Sequence, residues 1–270
     1  MIKKIFLILF FIIMMLPIYF MVIGSFQDTH GVMKMPPQLI PTNSTLYNYQ
    51  TIFKLDFVRW LGNSIIVTVS TVILSVFISS CGGYVFAFYK FRFKKLLWGC
   101  LLLGLMVPRI SFIIPLYVVI KKLGLSGTLL ATILPIVFSP IGLYLARNYF
   151  ETVPISLLES ARLDGASEFL VLRKIVMPIS KPIIAVLSVF AAISALQDYI
   201  WQALVLQIPE RQTLLVGLMR FAMLRGGGDR GVNPIGRTLA VGVILLIPLL
   251  IIFILANKYF IDSIGGAIKE

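Results

Sequence analysis

The chain has 270 residues, of which 59% are hydrophobic and only 13% charged, against roughly 25% charged in an ordinary soluble domain. With a mean hydropathy of +0.98, this composition excludes a soluble globular protein and points to a membrane protein. The net charge of +13 does not indicate a nucleic-acid partner, because the basic residues form short clusters between long apolar runs, as membrane-flanking charges do.

A helix needs about 20 apolar residues to cross a bilayer, and six stretches qualify. The first, residues 5–23, follows Lys3 and Lys4. Its length exceeds the roughly 7–15 residues of a signal-peptide core, so it is read as an uncleaved span. Residues 24–61 are rich in Pro, Asn and Thr, as in Met35-Pro-Pro-Gln-Leu-Ile-Pro41, and proline here favours an external cap or loop. His30 is the single histidine, which rules out a multi-histidine metal site. The second span, 62–89, carries no charge, and the third, 96–120, carries only Arg109. The fourth, 123–146, is uncharged. The fifth, 182–209, holds Asp198, and the sixth, 238–257, holds no charge. Cys81 and Cys100 lie in apolar runs without a CxxC neighbour, so they read as packing residues.

Six spans put both termini on one side of the membrane. Lys90, Arg92, Lys94 and Lys95 crowd the short connection between the second and third spans, which makes that side cytoplasmic. Basic residues inside then number 13 against 10 outside. The margin is narrow because Arg211, Arg220, Arg225, Arg230 and Arg237 follow the fifth span on the outside. The run Gly226-Gly-Gly-Asp-Arg-Gly231 lacks the Gly-Lys-Ser/Thr end of a phosphate loop and reads as an outer loop. With no ATP site in the chain, any motor must be another subunit.

The longest inner segment, 147–181, contains two short helical patterns. Pro154 suits the start of a helix that runs through Leu163 and sets Ile155, Leu158 and Arg162 on one face. Asp164-Gly165 is a turn signal, with glycine suited to the left-handed position that ends a helix. A second helix is predicted from Ala166 to Val176, stopping before Pro178. The pattern alone fits either an amphipathic linker on lipid headgroups or a docking element.

Two ionisable residues lie inside spans. A charge at mid-bilayer costs roughly 2.5–3.5 kcal/mol on insertion scales, so Arg109 should face a partner or a watery path. Asp198 is the only other charge in a span, and pairing with it or contact with a solute both remain open. One buried carboxylate is too little for an intramembrane enzyme.

Residues Glu159 to Pro178 closely resemble the signature of ABC-importer permeases: Glu-Ala-Ala, three residues, Gly, nine residues, Ile, one residue, Leu, Pro. Glu159, Ala161, Gly165, Ile175 and Pro178 match, while Ser160 stands for an alanine and Met177 for the leucine. In that family the loop is a coupling helix seated in a cleft of the ATPase. The resemblance thus assigns contact roles to Glu159, Ser160, Ala161, Asp164, Gly165, Ala166 and Pro178. Met106-Val-Pro108, Ile114-Pro-Leu-Tyr117, Leu123-Gly-Leu125, Asn48-Tyr49, Asn63-Ser64 and the ending Gly265-Gly-Ala-Ile-Lys269 are similar to carbohydrate-uptake permeases of the maltose-permease type.

The resemblance implies an all-α membrane protein with the six-helix fold of a type I ABC importer permease, the whole of 1–270 forming one permease domain. It implies a bacterial-type plasma membrane, a homologous second permease, two cytoplasmic ATPase subunits carrying ATP and Mg, and an extracytoplasmic solute-binding protein. No cofactor is expected in this chain. Ala195-Leu-Gln-Asp-Tyr-Ile-Trp201 sits where the family usually has a Trp-Asn-Asp/Glu-aromatic run. Leu196 and Gln197 depart from it, whereas Asp198 and Tyr199 fit. Gln197, Asp198, Tyr199 and Trp201, with Arg109, are therefore the candidate solute-pathway residues. The expected cargo is a sugar or oligosaccharide, with the arginines motivating an acidic one. A small polar solute such as glycerol phosphate is the alternative, and an ATP-independent channel would leave the Glu159–Pro178 match unexplained.

Overall fold

Proline positions and turn residues decide where these apolar runs hold as single helices and where they break. The computed structural model describes residues 2–27, 32, 40, 44–223 and 234–267. His30, most of the proline-rich segment 35–41, Arg225, Arg230, the run 226–231 and Lys269 lie outside the described residues. Among those described, every regular element is a helix, joined by turns and short loops, with one isolated bridge between Gln27 and Ser44.

The helices are α1 (Ile2–Ser25), α2 (Tyr47–Phe53), α3 (Phe57–Phe88), α4 (Lys94–Met106), α5 (Ile113–Lys122), α6 (Leu130–Val137), α7 (Pro140–Phe150), α8 (Ile155–Leu163), α9 (Glu168–Ile179), α10 (Lys181–Gln197), α11 (Tyr199–Val205), α12 (Leu214–Met223) and α13 (Pro234–Ala267). Long apolar stretches of α1, α3 and α13 suffice to cross a membrane unaided. Three further apolar stretches, each in a pair bent at a short break, raise the candidate crossings to as many as six by length and composition: α4 with 109–122 at 99°, α6 with α7 at 43°, and α10, which meets the loop helix α9 at 90°.

The expected third span is therefore not one rod. Pro108 has no N–H and its ring disfavours helical backbone at the preceding residue; Val107 is accordingly extended, with φ −87° and ψ 121°. A short 3-10 turn, Arg109–Phe112, follows before α5 resumes. The expected fourth span begins later than predicted, because Gly124 and Gly127 take positive φ in the turn ahead of α6. It then bends before Pro140, where Ser139 caps α7 by accepting from the Gly142 N–H at 3.1 Å. The expected fifth span is α10 alone up to Gln197. It breaks at Asp198 before the short α11.

The segment 147–181 also differs from the expectation at its second helix. Ser167 caps it, so it starts at Glu168 rather than Ala166. It does not stop before Pro178 but runs to Ile179 through a π-helical stretch at Leu172–Val176. The widened turn gives the proline ring the room that a regular α-turn would deny it.

The chain divides into two compact units, residues 1–62 with 212–250 and residues 63–211 with 251–270. In the first, Ile52, Trp60, Leu214, Leu218, Ala240, Val241 and Ile244 form the core. Gly217 lies against the Trp60 indole, where any Cβ would collide. The side-chain amide of Asn48 donates to the Ser25 carbonyl at 2.9 Å and ties α2 to the end of α1. In the second unit, α3 meets α7 through small residues. A Cβ on Gly83 would fall 2.6 Å from that of Ala146, the close approach that lets helices associate in lipid.

Candidate functional site

The loop 147–181 folds into a helix–turn–helix hook. Val153-Pro154 turns the chain into α8, and Leu158 on that helix is fully buried with Phe150, Val153, Val171 and Val176. Ala161 and Ala166 also pack inward against this cluster. Gly165 ends α8 with φ +82°, the left-handed conformation that glycine adopts without steric penalty. Its amide donates to the Arg162 carbonyl at 3.0 Å, and that of Ala166 to Ala161 at 3.0 Å. Pro178 is exposed within α9.

The opposite face of α8 is open. Ile155, Leu157, Glu159, Ser160, Leu163 and Asp164 are all exposed, and Leu163 is 89% exposed at the tip. The predicted face of Ile155, Leu158 and Arg162 is thus split: Leu158 points in and Ile155 out. Of the seven predicted contact residues, Glu159, Ser160, Asp164, Gly165 and Pro178 lie on the surface, whereas Ala161 and Ala166 are half-buried.

A clamp that the sequence did not flag locks this hook to α3. Arg162 donates from Nε to Glu168 Oε1 at 2.8 Å and from Nη2 to Oε2 at 3.2 Å, a two-pronged pair. The Tyr84 hydroxyl near the C-terminal end of α3 donates to Glu168 Oε2 at 2.5 Å. The Arg162 guanidinium also lies 5.9 Å from the Tyr89 ring centroid. The hydrogen bond from Arg162 holds the Glu168 pKa down to about 2, with the tyrosine hydroxyls adding to it and partial desolvation opposing. Glu168 likewise raises the pKa of Arg162. The two charges are six positions apart across the Gly165 turn, a spacing with no helical periodicity, so no sequence pattern points to the pair.

The second constellation sits at two helix breaks. Arg109 is the first residue after Pro108, and Asp198 is the residue between α10 and α11. The structure brings them together: Arg109 Nη2 lies 2.8 Å from Asp198 Oδ2, with the aspartate side chain 11% exposed and the arginine 48%. The contact is ionic rather than a well-aligned hydrogen bond, since Asp198 Oδ2 is buried and accepts none of good geometry. The other candidates scatter. Gln197 is exposed, Tyr199 is half-buried, and Trp201 is 1% exposed with its indole N–H donating to the Ala131 carbonyl at 2.9 Å. Trp201 is a core residue in this conformation and presents no ring to a solute.

Arg109 also lines a cleft of about 200 Å³ together with Ser75, Phe138, Ser139, Phe190 and Ser194. Both cysteines are free thiols, and no cluster of metal-binding side chains occurs among the described residues.

Residues 79–264 match the family model described as the binding-protein-dependent transport system inner membrane component. The arabinooligosaccharides transport system permease protein AraQ of Halalkalibacterium halodurans is 30% identical over 256 residues, 93% of this chain and 90% of that protein. The sn-glycerol-3-phosphate transport system permease protein UgpE of Brucella abortus is 27% identical over 266 residues, 96% and 93% of the two chains. Among solved structures, a bacterial ABC transporter involved in import of the acidic polysaccharide alginate superposes with a TM-score of 0.84 at 23% identity, over 96% of this chain and 95% of that one. That likeness is one of fold.

Proposed function

As this chain belongs to the family of binding-protein-dependent transport system inner membrane components, we propose that its cargo is a sugar or oligosaccharide, moved inward by alternating access. The protein is a multi-pass permease subunit of an ABC importer. In this reading all of 1–270 acts as one permease domain with both termini in the cytoplasm. A homologous permease completes the pathway, two ATPase subunits bind ATP and Mg inside, and a solute-binding protein delivers cargo outside.

The observation that carries the ATPase-docking role is the exposed face of α8. An 89%-exposed leucine at a helix tip, flanked by Glu159 and Asp164, has no use for the chain's own core, and Leu158 already anchors the helix from behind. A protruding apolar side chain with a charged rim suits insertion into a partner's cleft. Nucleotide-driven closure of the ATPases would then move the hook, and differential binding would shift the permease between its two states.

Leu163→Asp tests this. Co-purification of the ATPase with the permease should fall about tenfold, the scale of losing one buried apolar anchor. Unchanged recovery of the ATPase together with unchanged uptake would count against docking through α8. Gly165→Trp is a less clean probe, because φ +82° makes any bulky residue there strain the loop itself. The names of the relatives also favour a second cargo, glycerol phosphate.

A further inference from the structure

We propose that Arg109 and Asp198 form an exchangeable anion site, in which an anionic group on the solute, carboxylate or phosphate, takes the place of Asp198 on the Arg109 guanidinium. The proposal rests on the importer reading above and adds the charge class of the cargo. The two residues stand at two separate interruptions of apolar helices, after Pro108 and between α10 and α11. Non-helical backbone at membrane depth is tolerated only where it is buried in protein or borders a water-filled cavity, and broken helices are where transporters place solute sites.

The pair itself is lopsided. Asp198 is almost enclosed, whereas nearly half of the Arg109 side chain is open. A guanidinium has five N–H donors in a planar fork, and a single ionic contact to one buried oxygen leaves most of that fork available. Within an apolar span those remaining donors need acceptors. The cleft beside them offers the hydroxyls of Ser75, Ser139 and Ser194 and the flat rings of Phe138 and Phe190. At about 200 Å³ it is smaller than the roughly 300–1,000 Å³ that encloses a whole drug-sized ligand. It therefore admits one charged group with its adjoining ring, and the rest of a longer solute lies outside it.

Asp198 then has two tasks. It neutralises Arg109 while the pathway is empty, and it competes with the solute, so that binding an anion releases the link between the two broken helices. A neutral solute cannot make this exchange. Asp198→Asn should weaken the competitor without removing the site, and Arg109→Gln should remove the site.

The test uses the assembled transporter in detergent, with thermal stabilisation by galacturonate, glycerol 3-phosphate, galactose and glycerol as the readout, alongside uptake of trigalacturonate and of neutral maltotriose in proteoliposomes. The wild type should be stabilised more by one or both anions than by their neutral counterparts. The half-saturating anion concentration should rise at least about tenfold in Arg109→Gln, as befits loss of a charged hydrogen-bonding partner, and fall in Asp198→Asn. Which anion responds separates carboxylate from phosphate cargo. Equal stabilisation by charged and neutral ligands, or an anion preference that survives in Arg109→Gln, overturns the anion site. Absence of uptake for both trisaccharides in the wild type removes the sugar reading instead, and the stabilisation series still decides the anion site.

Discussion

Gly165 shows how one residue can be legible in sequence for one reason and needed in structure for another. Its place in the family pattern suggested close approach to a partner, and the Asp164-Gly165 pair suggested a turn. The structure supplies the second reason: φ is +82° and a Cβ would meet nothing of this chain within 4 Å, so within the chain itself conformation, and not space, calls for glycine. An L-residue in the left-handed region costs roughly 1–2 kcal/mol, asparagine least. Gly165→Asn should therefore keep most uptake, whereas Gly165→Val should lose most of it, both at normal expression in the membrane. Equal uptake by the two variants would contradict a conformational role. Trp201 is the opposite case. Its place in the segment that matches the family's aromatic run made it a solute-pathway candidate, but aromatic residues serve cores as readily as solutes, and in this conformation its indole N–H donates to the Ala131 carbonyl.

At the level of elements, hydropathy located the apolar runs and missed their breaks. The Pro108 break was available to a stricter reading, since proline disfavours helical backbone at Val107. The Asp198 break had no such marker. Conversely, Pro178 looked like a helix end and is not one, because the π-helical stretch 172–176 accommodates it. The Arg162–Glu168–Tyr84 clamp joins α8, α9 and α3 across sequence distances that no local pattern spans. Glu168 is 44% exposed, so solvent screening limits the pair to about 1 kcal/mol. Glu168→Gln should accordingly speed amide exchange in α8 about fivefold. The folded pKa of about 2 lies below the ordinary glutamate value near 4.3. The clamp's contribution is thus complete above that ordinary value and is lost as pH falls from it through about 2. Protection of α8, corrected for intrinsic exchange, should be flat from pH 8 to pH 5; a step near pH 6–7 would show that another group controls the loop.

For the molecule as a whole, composition was enough to name a membrane protein, and the Glu159–Pro178 pattern was enough to name its class. The sugar class was legible through the family resemblance, but the Arg109–Asp198 contact was left open, because its partners lie 89 positions apart in the chain and meet only where two helices break. The same packing decides what stays outside the core. The apolar side chains of α1 from Ile5 to Phe11 are exposed throughout, a surface for lipid or for another subunit, and the outer face of α8 is equally bare. Hydropathy alone could not separate a helix resting on headgroups from one seated in an ATPase. A photo-activatable residue in place of Leu163, within the assembled transporter in its native membrane, separates them directly. Irradiation should yield a covalent adduct with an ATPase subunit, its yield changing between nucleotide-free and ATP-bound states; adducts with lipid alone would contradict the coupling role of this helix.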